Sequence, residues 1–227
     1  PLDDHPALNA RVLVAGAYTA EGPDTALLSG PLWDRSGLPL VAGAPLRRTL
    51  DLRTGVLTDE TSHRRATRRA LRFASLARPG TLVLRAEGHR RLMPVGPPLV
   101  APAGAVSTSG VTAEGRSTMS VESEDARIVA VASETRTADR SRGRLDRIAS
   151  YRAEPAASPA MVNVVRDLAE AEVMGFDRLL VEQRAAWARR WADADIRIEG
   201  DDELERAVRF GLFHLMGSVD DSGEAAV

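Results

Sequence analysis

The spacing of apolar residues along this chain changes once, and that change restricts the fold more than any other feature. Up to about residue 155 the apolar residues fall in short runs or alternate with polar ones. Beyond the proline-bounded stretch 155–159 they recur every three to four residues. Alternation is the mark of a half-buried strand, and the longer spacing marks an amphipathic helix. Strands followed by helices, without interleaving, exclude an alternating parallel α/β fold and imply an antiparallel β unit with helices after it.

Within the first part, Arg11–Thr19 is apolar and rich in valine, and Glu21-Gly22-Pro23-Asp24 ends it. Leu46–Leu57 sets Leu50 and Leu52 against Thr49, Asp51 and Arg53, with Thr54-Gly55 placed for a turn. Ala70–Ala77 and Thr81–Glu87 flank Arg78-Pro79-Gly80, a strong hairpin signal. Gly88–Gly104, with four prolines, reads as a loop. Met119 and Val121 alternate with polar neighbours, Arg127–Thr137 reads as a central strand, and Arg144–Glu154 as another. Eight or nine short strands at this spacing predict an antiparallel sandwich with its apolar faces turned inward.

In the second part, Ser158 is placed to cap a helix over Pro159–Met174, which Gly175 ends. A second helix is expected from Phe176 to about Ala192, with Phe176, Leu179, Leu180, Gln183, Trp187 and Trp191 on the face that docks. Asp195–Glu199 reads as extended. After Gly200-Asp201-Asp202 comes a helix that turns apolar on nearly every side between Phe210 and Met216. Such a helix is expected to be buried all round. Left uncovered, that face predicts aggregation.

Composition mainly excludes. The net charge of −2 offers no electrostatic case for nucleic acid or an anionic membrane. Lysine is absent, so the 30 basic residues are all arginine and no phosphate loop of the GxxxxGK[ST] type is present. Cysteine is absent too, which removes disulfides, thiolate metal sites and thiol nucleophiles. No apolar run approaches the ~18–20 residues of a membrane span, no signal-peptide pattern opens the chain, and a cytoplasmic location is expected. His5, His63, His89 and His214 show no metal-ligand spacing, so neither a metal nor a cofactor is expected. The run His63–Arg69 is read as a solvated hairpin; no aromatic residues interleave it as a single-strand binder requires. Glu122, Glu124 and Asp125 are read as a solvated turn at a strand end.

Two residues are candidate sugar contacts. Trp33, in Gly30-Pro31-Leu32-Trp33-Asp34, either stacks on a sugar ring or anchors the core. His214 either reaches a substrate or is a buried, hydrogen-bonded helix histidine. No pair of carboxylates stands out by spacing as catalytic, so no catalytic residue is assigned.

Several blocks, in order, resemble the N-terminal part of glycoside hydrolase family 65, the maltose, trehalose and kojibiose phosphorylase family. They are Arg47–Thr58, Arg72–Leu76, Ile148–Tyr151, Gly175–Asp177 and, most specifically, Trp187–Met216. The resemblance implies an antiparallel β-sandwich of galactose-mutarotase-like type over residues 1–157 and a helical linker over 158–194. It makes 195–227 the start of an (α/α)₆ catalytic barrel cut short, with Asp202–Val219 as the first barrel helix. It further implies inverting cleavage of an α-glucosidic bond in a small glucose disaccharide. A glutamic acid would protonate the departing oxygen while inorganic phosphate, as co-substrate, or water attacks from the opposite face. That acid is expected past Val227, and a homodimer is the family's usual state. The opening strands of the family are missing, and Gly88–Gly104 is shorter than the family pattern. The other readings are a non-catalytic sandwich that binds carbohydrate or a partner, and an inactive truncated product.

Overall fold

The computed structural model describes residues 11–21, 24–33, 46–63, 65–93, 96–155 and 161–218. Ser158 and its neighbours, His5, and the chain after Ser218 lie outside the described residues, as does the turn Gly22-Pro23.

Ten strands precede two helices among the described residues. Strands β1 (Val12–Glu21) and β2 (Asp24–Gly30) form an antiparallel pair. The other eight are β3 (Leu46–Asp51), β4 (Val56–His63), β5 (Ala66–Ala74), β6 (Thr81–His89), β7 (Val106–Val111), β8 (Ser117–Glu122), β9 (Ala126–Ala138) and β10 (Arg142–Pro155). They make one antiparallel sheet in the order β3-β4-β5-β6-β10-β9-β8-β7. Helix α1 spans Met161–Ala194 and α2 spans Asp202–Gly217. The expected order of antiparallel β structure and then helices is what the fold has.

Alternation along the central strands divides the core in two. Ile128, Ala130 and Ala132 of β9, with Leu145, Ala149 and Tyr151 of β10 and Leu84 and Ala86 of β6, meet the β1–β2 pair on one face. Small alanines here let the pair close on the sheet. The opposite face presents Val129, Val131, Ile148, Val83 and Phe73 to Val164, Leu168, Ala171, Phe176 and Leu179 of α1. Phe73 and Phe176 meet edge to face, with centroids 6.0 Å apart. A strand apolar on both faces must lie between two layers, which is why β9 is central, as Arg127–Thr137 predicts.

The break at Gly175 falls where the sequence places it. Its φ of 68° and ψ of 171° interrupt an otherwise helical run, a conformation that glycine adopts without a Cβ penalty. Salt bridges then fix α1 along its length: Arg152–Asp167 at 2.7 Å, Arg116–Glu172 at 2.6 Å, Arg85–Asp177 at 2.7 Å and Arg78–Glu182 at 2.9 Å.

Several expectations need correction. Strands β2 and β7 have no counterpart in the sequence reading. Strand β7 is exposed at every position, so no buried alternation marks it. The loop Gly88–Gly104 contains a 3₁₀ turn at Arg90–Leu92 and a bridge from Leu32 to Val100. The arginines of the β4–β5 hairpin are not all solvated. Arg68 pairs with Thr61 and Gly88 and is buried, donating to the Leu92 carbonyl at 3.4 Å. Burial lowers its pKa to about 10.

Candidate functional site

The residues of most interest gather where the second half of α1 meets the strand ends and α2. Gln183, fully buried, is the central one. Its Oε1 accepts the Leu76 N–H at 2.8 Å, and its Nε2 donates to the Thr54 carbonyl at 3.1 Å. One side chain thus ties two strand-end loops to the helix. One turn on, Trp187 lies over Gly55, whose φ of 65° serves the Asp51–Gly55 turn. A Cβ at residue 55 would stand 2.5 Å from Trp187 Nε1, so glycine is required there twice over. Trp191 donates from Nε1 to the Leu52 carbonyl at 2.9 Å. The face Phe176–Leu179–Gln183–Trp187 predicted from periodicity is therefore the docking face, and its aromatic residues are packing groups.

Helix α2 joins this cluster along one edge. Asp201 caps it by accepting the Leu204 N–H at 2.9 Å. Arg209 pairs with Asp195 at 2.8 Å and with Glu205. The Arg209 guanidinium holds the Asp195 carboxyl below the usual carboxylate range. The Phe213 ring stacks on Trp187 at 4.7 Å, and Arg190 donates to the Met216 carbonyl.

The burial expected of Phe210–Met216 is not found: no residue of α2 is buried. Phe210 is 51% and Leu215 67% exposed. The apolar pattern is real, but within the described residues only the Trp187 edge is covered. For the same reason His214 is exposed, not buried and hydrogen-bonded; its ring meets Phe210 at 4.4 Å and Phe213 at 5.3 Å.

Trp33 lies far along the chain from this cluster, on the β1–β2 side of the sheet. Its side chain is buried in that core. Its carbonyl accepts from Arg147, which also pairs with Glu134. The neighbouring Pro31 carbonyl accepts from the Tyr151 hydroxyl at 2.8 Å. The structure thus does not bring Trp33 and His214 together. Glu122, Glu124 and Asp125 are exposed at the β8–β9 turn. Among the described residues no three His, Asp or Glu side chains form a metal-holding group, and no helix is long and apolar enough to cross a membrane. The loop contacts of Gln183 had only one sequence signal, a polar residue on an apolar helical face.

The arrangement defines a class: an antiparallel sheet unit with a docked helix that hands the chain on to a further, partly uncovered helix. The same architecture occurs in a solved chain titled "Putative kojibiose phosphorylase from human microbiome", with a TM-score of 0.68 over 91% of this chain and 32% of that one. At 11% identity that likeness is one of fold. Sequence similarity carries the relationship further. A kojibiose phosphorylase of Caldanaerobacter subterraneus subsp. tengcongensis is 45% identical over 58 residues, 26% of this chain and 8% of that protein. An α,α-trehalose phosphorylase of Thermoanaerobacter brockii is 35% identical over 63 residues, 28% and 8% of the two chains. No family model matches the chain. The homologues of this chain are disaccharide phosphorylases of glycoside hydrolase family 65, and its fold matches the N-terminal region of such a phosphorylase. The aligned segments span less than a tenth of these curated relatives.

Proposed function

We propose that this chain is the sandwich, linker and first barrel helix of an enzyme that cleaves an α-glucosidic bond in a glucose disaccharide, of the trehalose, maltose or kojibiose type. In this reading residues 1–157 form the sandwich, 158–194 the linker and 195–227 the entry to the barrel. The catalytic glutamic acid belongs to barrel segments outside these residues. The reaction is inverting, with inorganic phosphate as co-substrate in a phosphorylase or water in a hydrolase. The protein acts in the cytoplasm as a homodimer.

The observation that carries this reading is α2. A capped, amphipathic helix with Phe210 and Leu215 exposed while Phe213 is held against Trp187 has the form of an element packed on one side and awaiting a second layer. Similarity to named disaccharide phosphorylases supports a catalytic barrel as that layer. His214 is exposed beside Phe210 on the same helix, on the side left uncovered.

The test is to express the reading frame continued past Val227 and assay glucose 1-phosphate release from trehalose, maltose and kojibiose with phosphate, and glucose release without it. Cleavage of one disaccharide by the longer product, and none by residues 1–227, is expected. A stop codon directly after Val227, or a folded longer product inert on all three sugars, refutes the proposal.

A further inference from the structure

A notch of about 980 Å³ opens at one end of the large sheet, where β6 ends between the β4–β5 and β9–β10 hairpins. Five arginines line it against Glu60, Glu87 and Asp139, an excess of two positive charges. Two of the arginines are already engaged. Arg144 is held by Asp146 at 2.8 Å, and Arg69 faces Glu60 at 3.7 Å. The other three, Arg65, Arg68 and Arg142, make no side-chain ion pair among the described residues.

Arg68 is the decisive one. It is only 4% exposed, and its Nε has no hydrogen-bond partner. The one hydrogen bond its side chain makes among the described residues is long, 3.4 Å to the Leu92 carbonyl. A buried cation is ordinarily paired with a carboxylate, and this fold withholds one. Arg68, Gly88 and Gly143 stand in a single cross-strand row, so neither β6 nor β10 sends a side chain to it from that row. A Cβ at residue 88 would lie 2.7 Å from the Arg68 Cα. Asp59, whose charge reaches Arg68, is held by Arg48 and Arg72 at 2.8 Å each. On the other side of Arg68, in direct register, Thr61 has a buried hydroxyl that likewise lacks a partner. Two adjacent buried groups in the lining thus leave donors unused, which native interiors seldom tolerate without a bound ion or water.

We infer that this notch binds a small phosphate-type dianion, inorganic phosphate or the head of a phosphate monoester, with Arg68 and Thr61 as its buried contacts. Arg65 and Arg142 offer further donors from the two hairpins. A dianion matches the excess of two positive charges and gives the buried guanidinium the partner it lacks. The planar guanidinium fork fits two oxygens at once, and a phosphate still has oxygens for the Thr61 hydroxyl and the outer arginines. A carboxylate, with two oxygens, would leave part of that donor set unused. The notch has the size of small-ligand sites, so an organic portion fits beside the anion.

The test follows amide NMR spectra of the chain titrated with sodium phosphate, glycerol 3-phosphate and succinate, each against sodium chloride at equal ionic strength. Saturable shifts at Thr61, Arg68 and Arg142 are expected with phosphate, along with a raised melting temperature. Tighter binding of glycerol 3-phosphate would make the ligand a monoester, and tighter binding of phosphate the free anion. Arg68→Met keeps the apolar stem and removes the charge. It should weaken phosphate binding about tenfold or more. Without phosphate it should melt no lower than the parent chain, because the charge it removes is buried and unpaired. Arg142→Ala, at an exposed position, should weaken binding with unchanged circular dichroism, and Arg166→Ala on α1 should leave it unaltered. Shifts no larger than chloride gives, tighter binding of succinate than of either phosphate, or binding indifferent to both Arg68→Met and Arg142→Ala would overturn the inference. So would a lower melting temperature of Arg68→Met without phosphate, which would make Arg68 a structural arginine. The readout needs no activity, so its failure is distinct from failure of the disaccharide-cleavage assay.

Discussion

Replacing Gln183 with methionine tests the central claim about the junction, that one buried amide clamps two loops to α1. Methionine has similar length and volume, so the change removes the amide and leaves the packing. The Leu76 N–H and the Thr54 carbonyl then lose partners at 2.8 and 3.1 Å. An unsatisfied buried group costs about 1–3 kcal/mol. Both bonds are only partly buried, so the low half of the range applies and the pair should cost about 2–4 kcal/mol. Urea unfolding followed by tryptophan fluorescence reads this directly, because Trp187 and Trp191 sit beside the lost bonds. Gln183→Glu supplies a control whose stability depends on pH. Its carboxylate still accepts from Leu76 but turns a second oxygen on the Thr54 carbonyl, and burial raises its folded pKa. That variant should be nearer wild type at acid pH and lose stability as pH rises through the raised pKa. Gly55→Ala attacks the same contact from the other side. Its Cβ would lie 2.5 Å from Trp187 Nε1 and 3.1 Å from Gln183 Nε2. The left-handed backbone adds about 1–2 kcal/mol of its own. Since both changes loosen one interface, the double variant should lose less than the sum. Loss below about 0.5 kcal/mol in Gln183→Met, the size of an ordinary surface change, would refute the clamp.

Three further outcomes are expected. The Asp195 carboxyl, depressed by its hydrogen bond from Arg209, should titrate below its usual value by NMR. Its stabilising contribution should be present above the unfolded pKa and fade as pH falls through the folded one; Arg209→Ala should raise the titration toward normal. Tyr151→Phe removes the hydroxyl bonded to the Pro31 carbonyl at 2.8 Å and should cost about 0.5–1.5 kcal/mol in urea unfolding. Finally, Phe210→Ser with Leu215→Asp takes away exposed apolar area without touching the Trp187–Phe213 stack. It should keep residues 1–227 monodisperse in light scattering at concentrations where the parent chain associates.

Period alone determined much of this protein. Alternation placed β6 and β8, apolar runs placed β1, β9 and β10, turn and glycine chemistry placed the breaks at Thr54-Gly55, Arg78-Pro79-Gly80 and Gly175, and helical spacing picked the docking face of α1. These are local properties, set by which side chains a strand or helix turns to one face. Register and partnership are not local. Arg68 reads as one more surface arginine until pairing with Thr61 and Gly88 carries it inside. Trp33 reads as either a sugar contact or a core anchor until Arg147 and Tyr151, more than a hundred residues later, bond to the carbonyls of Trp33 and Pro31 and decide for the core. Likewise Gln183 is one polar residue on an apolar stripe, and only the approach of two loops shows why it is there. Cross-strand charge pairing is the plainest case. Glu60, Arg69, Glu87 and Arg144 are scattered in sequence, and pairing across four strands alone makes them a row. The sequence decided which faces are apolar and where the chain turns; the tertiary structure decided which of those faces meet, because that depends on strand order and register and not on the spacing of residues within any one element.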